Sequence, residues 1–236
     1  MKIKLFTIPN IITLANLICG ALATREVIVN QNYKLAFGFI ILAAIFDFCD
    51  GLAARLLSQQ SAIGVQLDSL ADLISFGLAP SFMLFSLCSE GLSEINCQFI
   101  KDFLPYATLI VVAFSALRLA KFNIDDTQHT SFVGLPTPAN AIFCMSLGML
   151  HQTHGLNIGG EWVVAIAIVM AVLLVAPIRM FSFKSSGEDE NFCYYFVSGI
   201  ILEFVFFGMY AFPISIATYI LTSIVKNLSS PPNKVQ

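Results

Sequence analysis

Four aspartates in one mostly apolar stretch carry the strongest chemical signal in this sequence. They are Asp47, Asp50, Asp68 and Asp72. The first two are three residues apart, and the last two are four residues apart. In an α-helix either spacing places both carboxylates on one face. A short connection between the two helices would fold them into a hairpin and bring the two faces together.

Carboxylates that converge in an apolar environment repel one another unless cations lie between them. Arg55 is the one basic residue between the first and last of these aspartates, and a single guanidinium does not neutralise four carboxylates. Carboxylate oxygens suit hard ions. The stretch therefore predicts a site for Mg²⁺ or Mn²⁺. The alternative is that the aspartates lie in interfacial water at helix ends, neutralised by their neighbours.

The composition excludes most soluble classes of protein. Of 236 residues, 57% are hydrophobic and 11% are charged, whereas soluble domains carry about 25% charged residues. The mean hydropathy is +0.82. The formal net charge of −3 also argues against a nucleic-acid-binding surface, which is basic. An integral membrane protein is indicated, and an ionisable residue at membrane depth indicates function.

Charged residues recur at intervals close to one bilayer crossing. We predict an all-α, polytopic helix bundle with about eight transmembrane helices, because lipid offers the backbone no hydrogen-bond partners. The predicted spans are 8–27, 34–56, 66–88, 102–121, 137–154, 162–179, 192–209 and 211–226. Residues 1–226 would form a single domain, and 227–236 a short polar tail. Whether Glu203, inside the seventh span, pairs within the bundle or faces a polar cavity stays open.

The distribution of Lys and Arg predicts that both termini are cytoplasmic. With that orientation the basic residues that face inward are Lys2, Lys4, Arg55, Arg118, Lys121, Arg179, Lys184, Lys226 and Lys234. Those that face outward are Arg25, Lys34 and Lys101. The first span resembles a signal peptide, but Pro9, Asn10, Thr13 and Asn16 make it too polar for a signal core. We expect a retained membrane helix.

Most of the six cysteines lie in apolar stretches and do not suggest a disulfide framework. Cys88 and Cys97 flank one polar loop, and the sequence leaves their pairing open. His129, His151 and His154 receive no role.

The residues around the aspartates fit phosphate chemistry. Gly51 and Ala54 are small enough to let a substrate approach the helix backbone, and Arg55 offers a planar fork of donors to phosphate oxygens. In full, the stretch reads Asp47-x2-Asp50-Gly51-x2-Ala54-Arg55, eight residues, Gly64-x3-Asp68-x3-Asp72. It resembles the signature of the CDP-alcohol phosphatidyltransferase family and matches all eight specified positions.

The resemblance implies a membrane enzyme that moves a phosphatidyl group from a CDP-linked lipid to an alcohol and releases CMP. It assigns metal binding to the four aspartates, and it makes Asp72 the general base. It assigns contacts with the CDP-lipid to Gly51, Ala54, Arg55, Ser61 and Gly64. The upstream segment Pro9-Asn10-x-x-Thr13 matches a further family segment that lines the same site, which adds Asn10 and Thr13. Pro9 and Asn10 are also typical of a helix start.

A second stretch bears on the alcohol. Arg118-Leu-Ala-Lys121-Phe-Asn123, followed by Gly134-Leu-Pro-Thr-Pro138-Ala, is similar to the signature of the serine-using bacterial branch of the family. The signature usually has arginine at the position of Lys121 and alanine at the position of Asn140, so these two residues depart from it. Arg118 and Lys121 are therefore candidate ligands for the acceptor, because a cation would position the carboxylate of serine. Positive-inside anchoring also explains both residues.

We therefore expect transfer of the phosphatidyl group from CDP-diacylglycerol to L-serine, giving phosphatidylserine and CMP, at the cytoplasmic side of a bacterial inner membrane. The resemblance also implies a homodimer. Alternatives are the same chemistry with glycerol 3-phosphate or inositol phosphate, a cation transporter, and a structural membrane protein. The region 118–136 carries few cations for a phosphorylated acceptor, and no internal repeat of the transporter type is found. A structural protein would leave the buried charges unexplained.

Overall fold

The fold is a bundle of helices, and the computed structural model describes residues 5–92, 97–124, 132–180 and 188–229. The helices are α1 (Ile8–Arg25), α2 (Tyr33–Leu56), α3 (Ala62–Asp72), α4 (Ala79–Gly91), α5 (Gln98–Phe103), α6 (Ile110–Ile124), α7 (Thr137–His154), α8 (Gly160–Val175), α9 (Glu188–Phe207) and α10 (Ala211–Ser229). Two strands of two residues each, β1 (Phe132–Val133) and β2 (Arg179–Met180), pair with one another. The prediction of an all-helical protein is confirmed apart from this pair.

Several helices run on into one another through turns of different pitch. The π-helical segment Glu26–Asn30 extends α1, and the π-helical segment Leu73–Leu78 joins α3 to α4. The 3₁₀ segment Leu104–Leu109 joins α5 to α6. Among the described residues, five continuous stretches are long and apolar enough to cross a membrane: Ile8–Asn30, Tyr33–Leu56, Ala62–Gly91, Gln98–Ile124 and Ser198–Leu228. The apolar helix α8 is shorter.

Local sequence explains where two helices near the aspartates, α1 and α3, begin. The Thr7 side chain caps α1 by accepting from the backbone N–H of Asn10 at 3.4 Å. The Ser61 side chain caps α3 by accepting from the N–H of Gly64 at 3.1 Å. Asn10 therefore lies inside the first turn of α1 and does not cap it. At the N-cap position, which Thr7 and Ser61 occupy, a side-chain oxygen accepts from an N–H group that has no partner within the helix.

Several predicted boundaries differ from the observed ones by a few residues. The third span begins at Ala62 rather than at 66, which shortens the connection between α2 and α3. The sixth span ends at Val175 rather than at 179, because Pro177 cannot continue the hydrogen-bonding pattern of a helix. The tail predicted from 227 is helical as far as Ser229, and the rest of it lies outside the described residues.

The π-helical segment between α3 and α4 lies just before Pro80. A proline ring presses on the carbonyl of the residue four positions earlier and has no N–H to donate. The wider turn instead pairs the N–H of Ala79 with the carbonyl of Ile74. One long helix thus carries the second pair of aspartates in its first part and core residues in its second part.

The core is formed mainly by α1, α2, α4, α7 and α8, and close approaches at glycines bring these helices together. A side chain at Gly148 on α7 would meet the sulfur of Met83 on α4. A side chain at Gly20 on α1 would meet Ser75 of the π-helical segment, with an ideal Cβ only 2.5 Å from its Cα. The contact at Gly20 involves backbone atoms of Ser75 and requires glycine, whereas a side chain at Gly148 would displace the flexible side chain of Met83. The contact at Gly20 fixes α1 against the helix that carries Asp72.

The strand pair ties the start of α7 to the end of α8. Phe132 pairs with Met180 and Val133 with Arg179 in antiparallel register. Gly134 has φ +85° and donates to the carbonyl of Ile178 at 2.9 Å. An added Cβ at Gly134 would also lie 2.3 Å from the carbonyl oxygen of Leu174. The sequence motif around Gly134 therefore contains a turn that needs glycine for conformational and steric reasons.

Candidate active site

Three of the four aspartates form a compact acidic cluster. The carboxylates of Asp47, Asp50 and Asp68 each offer one oxygen such that all three oxygens lie within 4.8 Å of one another. Asp50 is buried, with 6% of its surface exposed, and the other two are partly buried. The structure thus joins one pair from α2 and one member of the pair from α3, as the spacing predicts.

Three helices build the walls around this acidic cluster. The short connection after α2 turns back at Ser58, which has φ +51°, so that α3 runs antiparallel to α2. The first helix, α1, packs against both of them. The Thr13 hydroxyl of α1 lies beside the Asp50 carboxylate. The hairpin expected from the sequence is therefore completed by a third helix.

The acidic cluster has the donor set of a site for a divalent cation. Asp50 Oδ2 and Asp68 Oδ1 are buried and have no hydrogen-bond partner among the described residues. At separations within 4.8 Å, each pair of ionised carboxylates repels by about 3 kcal/mol for an effective dielectric constant of about 20. Oxygen-only donors at this spacing fit a hard ion. The residues present therefore fit a divalent metal such as Mg²⁺ or Mn²⁺.

Asp72 stands apart from the acidic cluster. Its oxygens are not among those that lie within 4.8 Å of one another, although its charge interacts with those of Asp47 and Asp68. Only 8% of its surface is exposed. Asn16 of α1 donates from Nδ2 to Asp72 Oδ1 at 3.2 Å. Asp72 therefore lies beside the three closely spaced carboxylates and is hydrogen-bonded to α1.

Arg118 of α6 brings a positive charge to the same place. Its guanidinium interacts with the carboxylates of Asp72 and Asp47, and its Nη1 donates to the hydroxyl of Thr137 at 3.2 Å. Its Nε is buried and has no hydrogen-bond partner in the described part of the chain. A guanidinium in this state retains a donor for a further anionic group.

Lys121 is placed differently from Arg118. It is exposed, and together with Arg118 it lines a small cavity of about 10 Å³ that is closed by Phe122, Val133, Leu174 and Val175. The two basic residues are thus neighbours, but Arg118 is the one whose charge interacts with the aspartates.

An open cleft of about 480 Å³ adjoins the acidic cluster. All seven residues that the family resemblance assigns to the CDP-lipid line it: Asn10, Thr13, Gly51, Ala54, Arg55, Ser61 and Gly64. Asp50 and Asp68 lie at its inner wall. An added Cβ at Gly64 would come within 3.3 Å of Asn10 Oδ1, which shows how closely the starts of α1 and α3 approach.

Sequence reasoning missed several residues at this site. Gln59, Gln60 and Phe122 also line the cleft. Asn123 Nδ2 donates to Ser69 Oγ at 2.8 Å and ties α6 to the helix that carries Asp68. In the sequence, Asn16 differs from its neighbours only as a polar residue in an apolar span. That polarity was the signal, since a buried amide in a membrane helix must have a partner.

Residues that the sequence left without a role lie elsewhere in the bundle. Glu203 pairs within the bundle, where it accepts from Ser215 at 2.6 Å and from Thr218 at 2.9 Å. Within the described part of the chain, Cys88 and Cys97 are free thiols, so they do not pair. His151 and His154 end α7.

The fold and the site together define a class of protein: a helical membrane protein with a carboxylate-rich site beside a cleft that is open at one end of the bundle. The comparison with known families agrees. The CDP-alcohol phosphatidyltransferase description matches residues 6–185. The chain belongs to the CDP-alcohol phosphatidyltransferase family, as the motif predicted.

Individual relatives make the likeness more specific. A protein of Bacillus subtilis (strain 168) is 34% identical over 183 residues, which cover 78% of this chain and 94% of the relative. One of Methanocaldococcus jannaschii is 30% identical over 202 residues, covering 86% of this chain and 85% of the relative. One of Helicobacter pylori (strain 26695) is 28% identical over 184 residues, covering 76% and 74%. Each is named CDP-diacylglycerol–serine O-phosphatidyltransferase.

Proposed function

We propose that this protein transfers the phosphatidyl group from CDP-diacylglycerol to L-serine, giving phosphatidylserine and CMP. The observation that carries the proposal is the junction of the acidic cluster with the cleft that all the family's CDP-contacting positions line. The printed names of the three relatives support serine as the acceptor.

The cleft is suited to an anionic nucleotide. The first turns of α1 and α3 both open into it, through Asn10 and through Ser61 and Gly64. The N-terminal end of a helix carries a partial positive charge and free N–H groups, which favour phosphate. The exposed guanidinium of Arg55 adds a donor fork at the same wall. We assign the CDP moiety to this cleft.

Asp47, Asp50 and Asp68 would hold the divalent metal, and the family pattern adds Asp72 as a further ligand. When bound, such an ion supplies positive charge that stabilises negative charge developing on phosphate oxygens. Mg²⁺ and Mn²⁺ both suit carboxylate donors. The ligand roles of these residues are part of the proposal.

Asp72 is assigned the general base. The serine hydroxyl oxygen attacks the phosphorus that carries diacylglycerol, the hydroxyl proton passes to a carboxylate oxygen of Asp72, and the bond to CMP breaks. Asp72 lies close to the cluster, but it is not one of the three closely spaced carboxylates. Arg118, whose buried Nε has no partner within the residues that the structure describes, would bind the carboxylate of serine. Lys121, at the edge of the same region, would add to the positive potential.

The bundle is proposed to cross the membrane eight times, with both termini and the active site on the cytoplasmic side of a bacterial inner membrane. Contacts at one end join the start of α2 to the end of α7, as in the hydrogen bond from the backbone N–H of Lys34 to Gln152 Oε1 at 2.9 Å. Arg55 and Arg118 lie towards the opposite end, near the cleft. Cytoplasmic ends are enriched in Lys and Arg. Water-soluble CDP and serine would then arrive directly from the cytoplasm.

The orientation has its own test. A single cysteine at Gln60, in a background free of native cysteines, should react with an impermeant thiol reagent only from the cytoplasmic side. Labelling from outside would invert the proposed topology. The family resemblance also implies a homodimer, which cross-linking in the membrane tests.

The acceptor is tested with purified protein, CDP-diacylglycerol, Mg²⁺ and a panel of alcohols, with CMP release as the readout. We expect L-serine to support release, and glycerol 3-phosphate and inositol phosphate to support little. If glycerol 3-phosphate supports release and serine does not, the reaction class stands and the proposed acceptor is wrong.

A further inference from the structure

The side-chain amide of Asn16 occupies an unusual position in the first helix. The residue is completely buried, yet only half of its amide is used. Nδ2 donates to Asp72 Oδ1 at 3.2 Å, whereas Oδ1 has no hydrogen-bond partner among the described residues. Buried polar atoms in proteins are nearly always paired, and an exception points to a bound group.

The backbone at Asn16 is fixed, so the amide is held in place. The carbonyl oxygen of Asn16 accepts from Ser75 Oγ at 3.0 Å. Gly20, one turn further along α1, lets α1 approach the same serine closely. The side chain of Asn16 therefore faces Asp72 from a helix that cannot easily shift relative to it.

We infer that Asn16 positions Asp72 through Nδ2 and receives the α-ammonium group of the acceptor amino acid on Oδ1. This inference rests on the proposed function, because it takes serine as the acceptor. The carbonyl oxygen of an amide accepts hydrogen bonds and an ammonium group donates three. Asn16 is thus a positioning residue for the base and a specificity-determining residue for the acceptor.

The geometry of serine fits this arrangement. Its hydroxyl and ammonium groups are on neighbouring carbons and lie about 3 Å apart in a staggered gauche conformer. A serine whose hydroxyl faces Asp72 therefore brings its ammonium group to the adjacent amide of Asn16. Arg118, whose charge interacts with that of Asp72, is then available to the carboxylate. The three polar groups of serine would then each meet a different residue.

The experiment compares L-serine with 3-hydroxypropionate, which is serine without the ammonium group, in CMP-release assays with saturating Mg²⁺. For the wild-type protein, 3-hydroxypropionate should inhibit with a KI at least about tenfold above the KM for serine, because a hydrogen bond to a charged group is lost. A KI equal to that KM would overturn the inference without any variant.

Asn16→Ala should raise the KM for serine by about tenfold or more and leave the KI for 3-hydroxypropionate unchanged, because this analogue has no ammonium group to lose the contact. It should also lower kcat, since Asp72 loses its donor. Asn16→Asp keeps an oxygen acceptor but lacks the donor. It should retain a KM for serine near that of the wild type while kcat falls.

Ser75→Ala is the matched control, because it removes a contact to the backbone of Asn16 and leaves the amide intact. It should change neither the KM for serine nor the KI, because the close approach of Gly20 to the backbone of residue 75 still holds α1 in place. If Asn16→Ala raises the KM and the KI equally, Asn16 is structural and the inference is wrong. If it instead raises only the Mg²⁺ requirement, Oδ1 serves the metal and the inference is also wrong. Absence of serine-dependent CMP release from the wild-type protein would refute the proposed function itself.

Discussion

Polar and charged side chains lie at both ends of the bundle, but the hydrogen bonding of these side chains differs between the two ends. At one end, buried oxygens of Asp50 and Asp68 have no hydrogen-bond partner among the described residues. At the other end, Glu90 accepts from the hydroxyl of Tyr33 and lies 2.8 Å from Nε2 of His151. The second ring nitrogen of His151 meets the carbonyl of Leu156 at 2.7 Å.

This difference separates a binding site from a structural contact. Side chains that complete one another's hydrogen bonds hold helices together and need nothing further. Side chains of one sign that remain unpaired after folding require a ligand, because burying an unpaired charge is costly. The following predictions test whether the ends differ in this way.

The largest effect should come from removing divalent ions. Excess chelator should reduce CMP release to background, and Mg²⁺ or Mn²⁺ should restore it, because the three carboxylates of the acidic cluster repel one another without a cation. The assay uses purified protein in detergent with CDP-diacylglycerol and serine. Full activity in excess chelator would refute the metal proposal.

The next largest effect should separate Asp72 from the acidic cluster. Asp72→Asn should still bind CDP-diacylglycerol in the presence of metal, while turnover falls by about 10²-fold or more, since an amide cannot take up the proton. Asp50→Asn should instead weaken metal binding and, with it, binding of the lipid nucleotide. Binding is measured directly with radiolabelled CDP-diacylglycerol, and turnover by CMP release.

Near-normal turnover of Asp72→Asn at saturating metal and serine would make Asp72 a ligand only, and another proton acceptor would have to be found. Some loss of metal affinity in this variant agrees with the proposal, because the family pattern also gives Asp72 a place among the ligands.

A smaller effect should distinguish the two basic residues near the acceptor. Arg118→Gln should raise the KM for serine by about tenfold, because a partly buried guanidinium is lost whose Nε has no hydrogen-bond partner among the described residues. Lys121→Gln is the matched control and should change this KM by less than about threefold, since exposed charges contribute little. Equal effects of the two substitutions would indicate a general electrostatic role rather than a binding contact.

The smallest effect should occur at the opposite end. Glu90→Gln keeps an acceptor for Tyr33 but loses the charge that faces His151. We expect the Tm to fall by about 2–4 °C, the shift for about 1 kcal/mol in a chain of this size, with CMP release unchanged. Thermal unfolding in detergent and the standard assay measure the two quantities. A loss of activity comparable with that of Arg118→Gln would contradict the distinction between the ends.

The sequence predicted the parts of this molecule that depend on short-range spacing. Three of the four aspartates converge because helical periodicity places each pair on one face and because few residues separate α2 from α3, whereas Asp72 lies outside the acidic cluster. The spans were close to the observed helices for the same reason, since a membrane helix must be apolar over a fixed length. The family resemblance predicted the residues that line the cleft. Asn10 of the upstream segment and Gly64 of the aspartate motif lie side by side.

What the sequence did not predict depends on contacts between distant segments. Asn16 meets Asp72 across a separation of 56 residues, and no local pattern indicates such a pair. The end of α8 was missed because apolar residues continue beyond Val175 into the strand pair. Hydropathy does not distinguish a helix from an extended segment of the same composition.

In the π-helical segment Leu73–Leu78, the number of residues matters as much for the structure as their identity does. A π-turn contains one residue more than an α-helical turn, and each residue of an α-helix advances the rotation by about 100°. Deleting one residue there would restore a uniform helix and rotate α3 relative to α4 by about that angle. Asp68 would then turn from the acidic cluster, or Met83 would turn from Gly148. Among homologous genes, substitutions in this segment should therefore be tolerated far better than single-codon deletions.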